Sequence, residues 1–85
     1  DTMPIQIKIG FKDPSVRASD RLVRLDVEDP EGKAVPHYRK FSRLTGSRVE
    51  SSIDFAFNDL PGRWTLRVTD VATGVSETGW IVLVN

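Results

Sequence analysis

Phe57-Asn-Asp-Leu-Pro-Gly-Arg-Trp-Thr-Leu-Arg-Val-Thr-Asp-Val-Ala-Thr-Gly74, with the apolar run Trp80-Ile-Val-Leu-Val84 after it, decides the class of this protein. Trp64, Leu66 and Val68 alternate with Arg63, Thr65, Arg67 and Thr69, the period of two that gives a strand one buried and one wet face. Asn58 to Gly62 contains a Pro-Gly pair, and Asp70 to Gly74 runs from Asp to Gly. Both read as turns. Together they predict a turn, a strand, a turn and a final strand, a β-hairpin at the end of an antiparallel β-domain. Trp80 to Val84 is apolar at every position, the pattern of a strand covered on both faces or packed on a neighbouring domain.

The same alternation recurs upstream. Met3 to Ile9 sets Ile5, Ile7 and Ile9 on one face and Gln6 and Lys8 on the other. Gly10 to Asp20, with its Gly, Pro, Asp and Ser, reads as a loop. Arg21 to Glu28 places Val23, Leu25 and Val27 inward and Arg24, Asp26 and Glu28 outward. Asp29-Pro-Glu-Gly32 suits a type I turn, since Pro presets the second position and Gly fits the fourth. Ala34 to Leu44 is irregular, because Tyr38 and Phe41 fall on opposite parities, which calls for a bulge or for cover on both faces. Leu44-Thr-Gly-Ser47 turns the chain. Val49 to Phe57 aligns Ile53, Phe55 and Phe57. Six or seven strands at short spacing with no helical pattern predict an all-β fold, an antiparallel β-sandwich with hairpin and Greek-key connections.

Composition bounds the rest. The 85 residues are expected to make one small domain, residues 1–85. A chain of this size buries only roughly 60–65% of its unfolded surface, so its core must be well filled. Twelve basic and twelve acidic residues cancel, which argues against a dedicated nucleic-acid or membrane-surface partner. No apolar run reaches the roughly 20 residues a spanning helix needs. Cysteine is absent, so there is no disulfide staple or thiolate metal site, and the chain fits a bacterial or cytosolic module. It opens on Asp1 with no signal peptide in view, and reads as a domain excised from a longer protein.

Two phrases carry a family resemblance. Arg21-Leu-Val-Arg-Leu-Asp-Val-Glu-Asp-Pro-Glu-Gly-Lys-Ala-Val35 resembles the second strand and following turn of immunoglobulin-like modules in bacterial multidomain proteins. Leu60-Pro-Gly-Arg-Trp-Thr-Leu-Arg-Val-Thr-Asp-Val-Ala-Thr-Gly74 resembles their last hairpin, and is also similar to the closing strands of the P-domain of subtilisin-like proteases, for which 85 residues are short. The Cys…Trp…Cys pattern of antibody domains is missing. The resemblance implies an Ig-like accessory domain of a secreted or surface protein, of the kind appended to glycoside hydrolases. Extracytoplasmic localisation is implied with it. Such a framework hosts many functions, so the resemblance marks a fold and not a task.

Each chemical signal has an ordinary explanation. His37 is the single histidine, and nothing in the spacing of Ser42 or Asp54 assembles a triad around it. Asp26, Glu28, Asp29 and Glu31 raise calcium, yet Pro30 occupies a would-be ligand position, and a capped turn accounts for them. Lys33, Arg39, Lys40, Arg43 and Arg48, interleaved with His37, Tyr38 and Phe41, suit a single-strand nucleic-acid groove. The balanced charge of the whole chain favours instead a solvated strand edge that deters aggregation, or a contact to an acidic partner surface. Trp64 belongs to the core. Tyr38 and Trp80 are the candidate platforms for a sugar ring, with His37 and Arg39 as polar neighbours. The leading expectation is a non-catalytic accessory, spacer or protein-interaction module, with no cofactor, no nucleic acid and no membrane insertion. Its partners would be neighbouring domains, met through Trp80 to Val84. The alternative is a carbohydrate-binding module of a secreted glycoside hydrolase, with polysaccharide as ligand.

Overall fold

The computed structural model describes residues 2–13, 16, 21–44, 46–56 and 59–84. The described residues are all-β, with six strands and one 3-10 turn among them: β1 Thr2–Gly10, β2 Leu22–Glu28, the turn Pro36–Tyr38, β3 Lys40–Arg43, β4 Arg48–Ala56, β5 Gly62–Asp70 and β6 Ser76–Leu83. The strands form two antiparallel sheets, one ordered β1-β4 and the other β3-β2-β5-β6. Strands distant in sequence pair in both: Ile5 lies opposite Ile53, and Leu25 opposite Val68. The chain therefore changes sheet after β1, β3 and β4, and makes hairpins within one sheet at β2–β3 and β5–β6.

The alternating residues do what their period demands. Val23, Leu25 and Val27 from β2, Ile53 and Phe55 from β4, and Trp64, Leu66 and Val68 from β5 are all buried in one core between the sheets. Burying each such side chain is worth about 1.5–3 kcal/mol. The centre of the core is aromatic. Phe55 and Trp64 meet edge to face at 5.2 Å, with Tyr38 5.1 Å from Phe55. The Trp64 indole N–H donates to the Leu60 carbonyl at 2.9 Å, so its one polar atom is satisfied.

Turn chemistry sets the registers. In Asp29-Pro-Glu-Gly32 the Gly32 N–H donates to the Asp29 carbonyl at 2.9 Å, while the Asp29 carboxylate accepts from the Glu31 and Lys33 amides. The turns at 44–47 and 58–62 contain residues outside the described set, as do Phe57 and most of the loop 10–20.

The irregular stretch has a specific cause. Pro36 opens a 3-10 turn, and this inserts a rotation between Tyr38 and β3. Tyr38 turns into the core and Phe41 faces solvent. Thr2, Ala56, Gly62 and Leu83 are brought to one end of the molecule by the pairings Thr2–Ala56 and Gly62–Leu83 and by the short β4–β5 connection.

Candidate functional site

The hairpin that ends in β6 is held by a buried ion pair. Asp70 is fully buried, and Arg21, from the end of the long loop, donates to both of its carboxylate oxygens through Nε, at 3.1 Å, and Nη2. The Thr73 amide adds a third donor at 3.2 Å and its hydroxyl a fourth. Arg21 chiefly, then Thr73, hold the carboxyl below the usual carboxylate range, outweighing the opposing effect of burial. Gly74, at φ 79°, then lets its amide donate back to the Asp70 carbonyl at 2.8 Å.

That turn fixes the parity of β6. Gly79, Ile81 and Leu83 point between the sheets, and Trp80, Val82 and Val84 point out. Their exposures are 55%, 64% and 81%. The run Trp80 to Val84 is thus covered on one face only, and its alternate residues form an apolar stripe on the outside of the larger sheet. The Arg63 guanidinium lies 5.3 Å from the centroid of the Trp80 ring, a cation–π contact worth about 0.5–1 kcal/mol at an exposed site. Thr65 lies directly opposite Trp80 and Arg63 opposite Val82.

Beside the stripe, a cleft of about 180 Å³ opens between β1 and β6, lined by Ile7, Ile9, Leu66, Gly79, Trp80 and Ile81. Gly79 helps to make it, since its missing side chain would contact Ile9 at 3.5 Å.

The four residues singled out from sequence do not converge. Trp80 sits on β6 at one edge of the four-stranded sheet. Arg39 adjoins β3 at the other edge, three strand spacings or about 14 Å across. Tyr38 is a core residue and no platform. Its hydroxyl donates to Asp59, and both groups accept from the Ala56 amide, at 3.0 and 2.9 Å. Burial, then the bond to Asp59, raises the Tyr38 pKa above its ordinary value. His37 is exposed, with its ring 4.4 Å from Tyr38.

Arg39 donates to Asp26 at 2.7 Å, and Arg24 donates to the other oxygen at the same distance. Partial burial opposes ionisation of Asp26, but those two bonds bring its pKa below the ordinary value. This network lines a shallow cleft of about 220 Å³ with Glu28, Val35 and Arg67.

The acidic turn is likewise occupied by internal partners: Asp26 by the two arginines, Asp29 by two amides, Glu28 by Arg67 at 3.8 Å. Among the described residues no three acidic or histidine side chains are grouped to hold a metal ion. Of the basic stretch, Lys40 reaches across to the Ser52 carbonyl and Arg48 pairs with Glu50 at 3.7 Å. Among the described residues no helix is long and apolar enough to cross a membrane.

Sequence reasoning missed Val82 and Val84 as surface residues, and the stacking of Arg63, already read on the wet face of its strand, over Trp80. The signal was present in the turn: counting forward from Gly74 puts Trp80, Val82 and Val84 on one parity. No protein-family model matches this chain, and searches of curated proteins and of solved structures also give no match.

Proposed function

We propose that this chain is an Ig-like, non-catalytic interaction module of a larger extracytoplasmic bacterial protein, and that it docks through the outer face of β6. Support for the Ig-like reading comes from the crossed pairings β1–β4 and β2–β5, the Greek-key connectivity of such sandwiches. The two phrases of the resemblance also fall on the second strand with its turn and on the last hairpin. The observation that carries the docking reading is the stripe of Trp80, Val82 and Val84, three large apolar side chains held in solvent by a buried ion pair that sets their strand.

The test is quenching of Trp80 emission by iodide, in a Trp64→Phe background, in the 85-residue chain and in the longer polypeptide. Loss of quenching in the longer protein supports docking. Equal quenching in both overturns it.

A second reading, a carbohydrate-binding module, draws on one observation: the Trp80 ring is exposed beside Arg63, Thr65 and Thr78. Sugar platforms combine an exposed ring with convergent polar groups in this way. A shift of Trp80 emission with one polysaccharide, abolished in Trp80→Ala, would put this reading first.

A further inference from the structure

An open sheet exposes unpaired amides and carbonyls along its outer strands, and proteins guard such strands against pairing with other chains. Among the described residues four strands lie outermost: β1 and β4 in the small sheet, β3 and β6 in the large one. Three of them are guarded.

On β1, the bond from the Phe11 amide to the Ser47 carbonyl fixes the alternation, so positions 4, 6, 8 and 10 turn their backbone groups outward. Pro4 has no N–H there, and Lys8 adds a charge. On β4, the outward Ala56 amide is bonded to Tyr38 and Asp59, and the Ser52 carbonyl accepts from Lys40. β3 is four residues long and carries Lys40 and Arg43.

β6 has none of these devices. It runs eight residues, Ser76–Leu83, without proline, lysine or arginine. Its one charge, Glu77, accepts from the Lys12 amide at 3.0 Å. The bond from the Asp70 amide to the Val75 carbonyl turns the backbone groups of Glu77, Gly79, Ile81 and Leu83 toward β5. Those of Ser76, Thr78, Trp80 and Val82 therefore face out, and no described residue bonds to them.

We propose that β6 pairs antiparallel with β6 of a second copy across a two-fold axis, joining two four-stranded sheets into one of eight. The inference rests on reading β6 as the contact strand and adds a partner at its open edge, beside the outer face. Strand addition through main-chain bonds needs an open edge, and this is the unguarded one. A second copy fits because the strand is complementary to itself. A two-fold centred on Trp80 sets Trp80 against Trp80, Thr78 against Val82 and Ser76 against Val84. No charged side chain lies in that row, so no like charges oppose, and aromatic and β-branched neighbours add cross-strand contact. Arg63 stands one strand further in, already stacked on its own Trp80.

The test is the mass of the 85-residue chain by light scattering and sedimentation from about 1 μM to 1 mM. A dimer is expected, with slowed exchange of the Thr78, Trp80 and Val82 amides. Thr78→Pro removes an outward donor without touching the β5 ladder, and Val82→Lys adds the missing guard. Each is expected to weaken the dimer roughly 10- to 100-fold with the β-sheet circular dichroism unchanged. Phe41→Lys, on the opposite edge, leaves the mass unaltered. Should Thr78→Pro unfold, Val82→Lys decides alone.

A dimer indifferent to Val82→Lys overturns the proposal, as does a monomer over the whole range. A monomer whose Trp80 still becomes protected in the longer polypeptide overturns the pairing of copies and leaves β6 as the docking strand for something else. A monomer whose Trp80 stays quenchable in both removes the two readings together.

Discussion

Asp70 shows how one side chain fixes a remote surface. Its carboxylate has no contact with solvent and is satisfied by Arg21 and Thr73. Replacing Asp70 by Ala removes those bonds but leaves Arg21, 20% exposed, able to reach water. We expect a loss of about 2 kcal/mol in urea unfolding. Arg21→Ala should cost more, since it leaves the carboxylate sealed without its cation.

The pH dependence follows from the direction of the shifts. Asp70 has a folded pKa below its unfolded one, so its contribution is complete above the ordinary carboxylate range, near pH 4. It is lost as pH falls from there through the folded value. Tyr38 behaves oppositely. Its folded pKa is raised, so its contribution holds below about pH 10 and is lost as pH climbs through the folded value. Tyr38→Phe should remove much of that alkaline loss and cost about 1 kcal/mol at neutral pH, by leaving Asp59 and the Ala56 amide one partner short. Unfolding midpoints across pH for both proteins test this. The Asp70–Gly74 turn was legible in the sequence, but the burial of Asp70 was not. Its partner lies 49 positions upstream, beyond the reach of any local period.

Among the elements, the strands with strict alternation were readable: β1, β2, β4 and β5 begin and end within a residue or two of the expected bounds. Two stretches were not. Ala34 to Leu44 loses its parity at Pro36, where the 3-10 turn sends Tyr38 in and Phe41 out. A period-two count cannot carry across such a turn. Trp80 to Val84 has no polar residue to mark its wet face, so only the turn before it reveals the parity.

Turn glycines give a graded test. Gly74, at φ 79°, has open space where a side chain would go, so Gly74→Ala should cost about 1 kcal/mol of backbone strain. Gly62, at φ 128°, would set a new Cβ 3.0 Å from Pro30 Cβ as well, so Gly62→Ala should cost about 2 kcal/mol or more. Chemical denaturation should rank the two in that order.

At the scale of the whole molecule, the two tryptophans report different places. Trp64 is 2% exposed and Trp80 55%. The isolated chain should therefore show two emission populations, with iodide quenching the redder one. In Trp80→Phe the remaining emission should be blue and insensitive to iodide, while the unfolding free energy changes by less than about 0.5 kcal/mol, as for other surface substitutions. A large loss of stability in Trp80→Phe would show that the ring is part of the packing and not of the free face.

The chain enters β1 and leaves β6 at the same end, where Thr2, Ala56, Gly62 and Leu83 meet. A link in a tensioned chain is usually held at opposite poles, so that load runs along its ladders and strains many bonds at once. Here a pull on the two ends would act across the strands. It would open Thr2–Ala56 and Gly62–Leu83 first, then the next pairs in turn, like a zipper. Within a longer polypeptide, a domain so built would be a weak tether and a good side branch, presenting the full length of β6 sideways, free of the line of force.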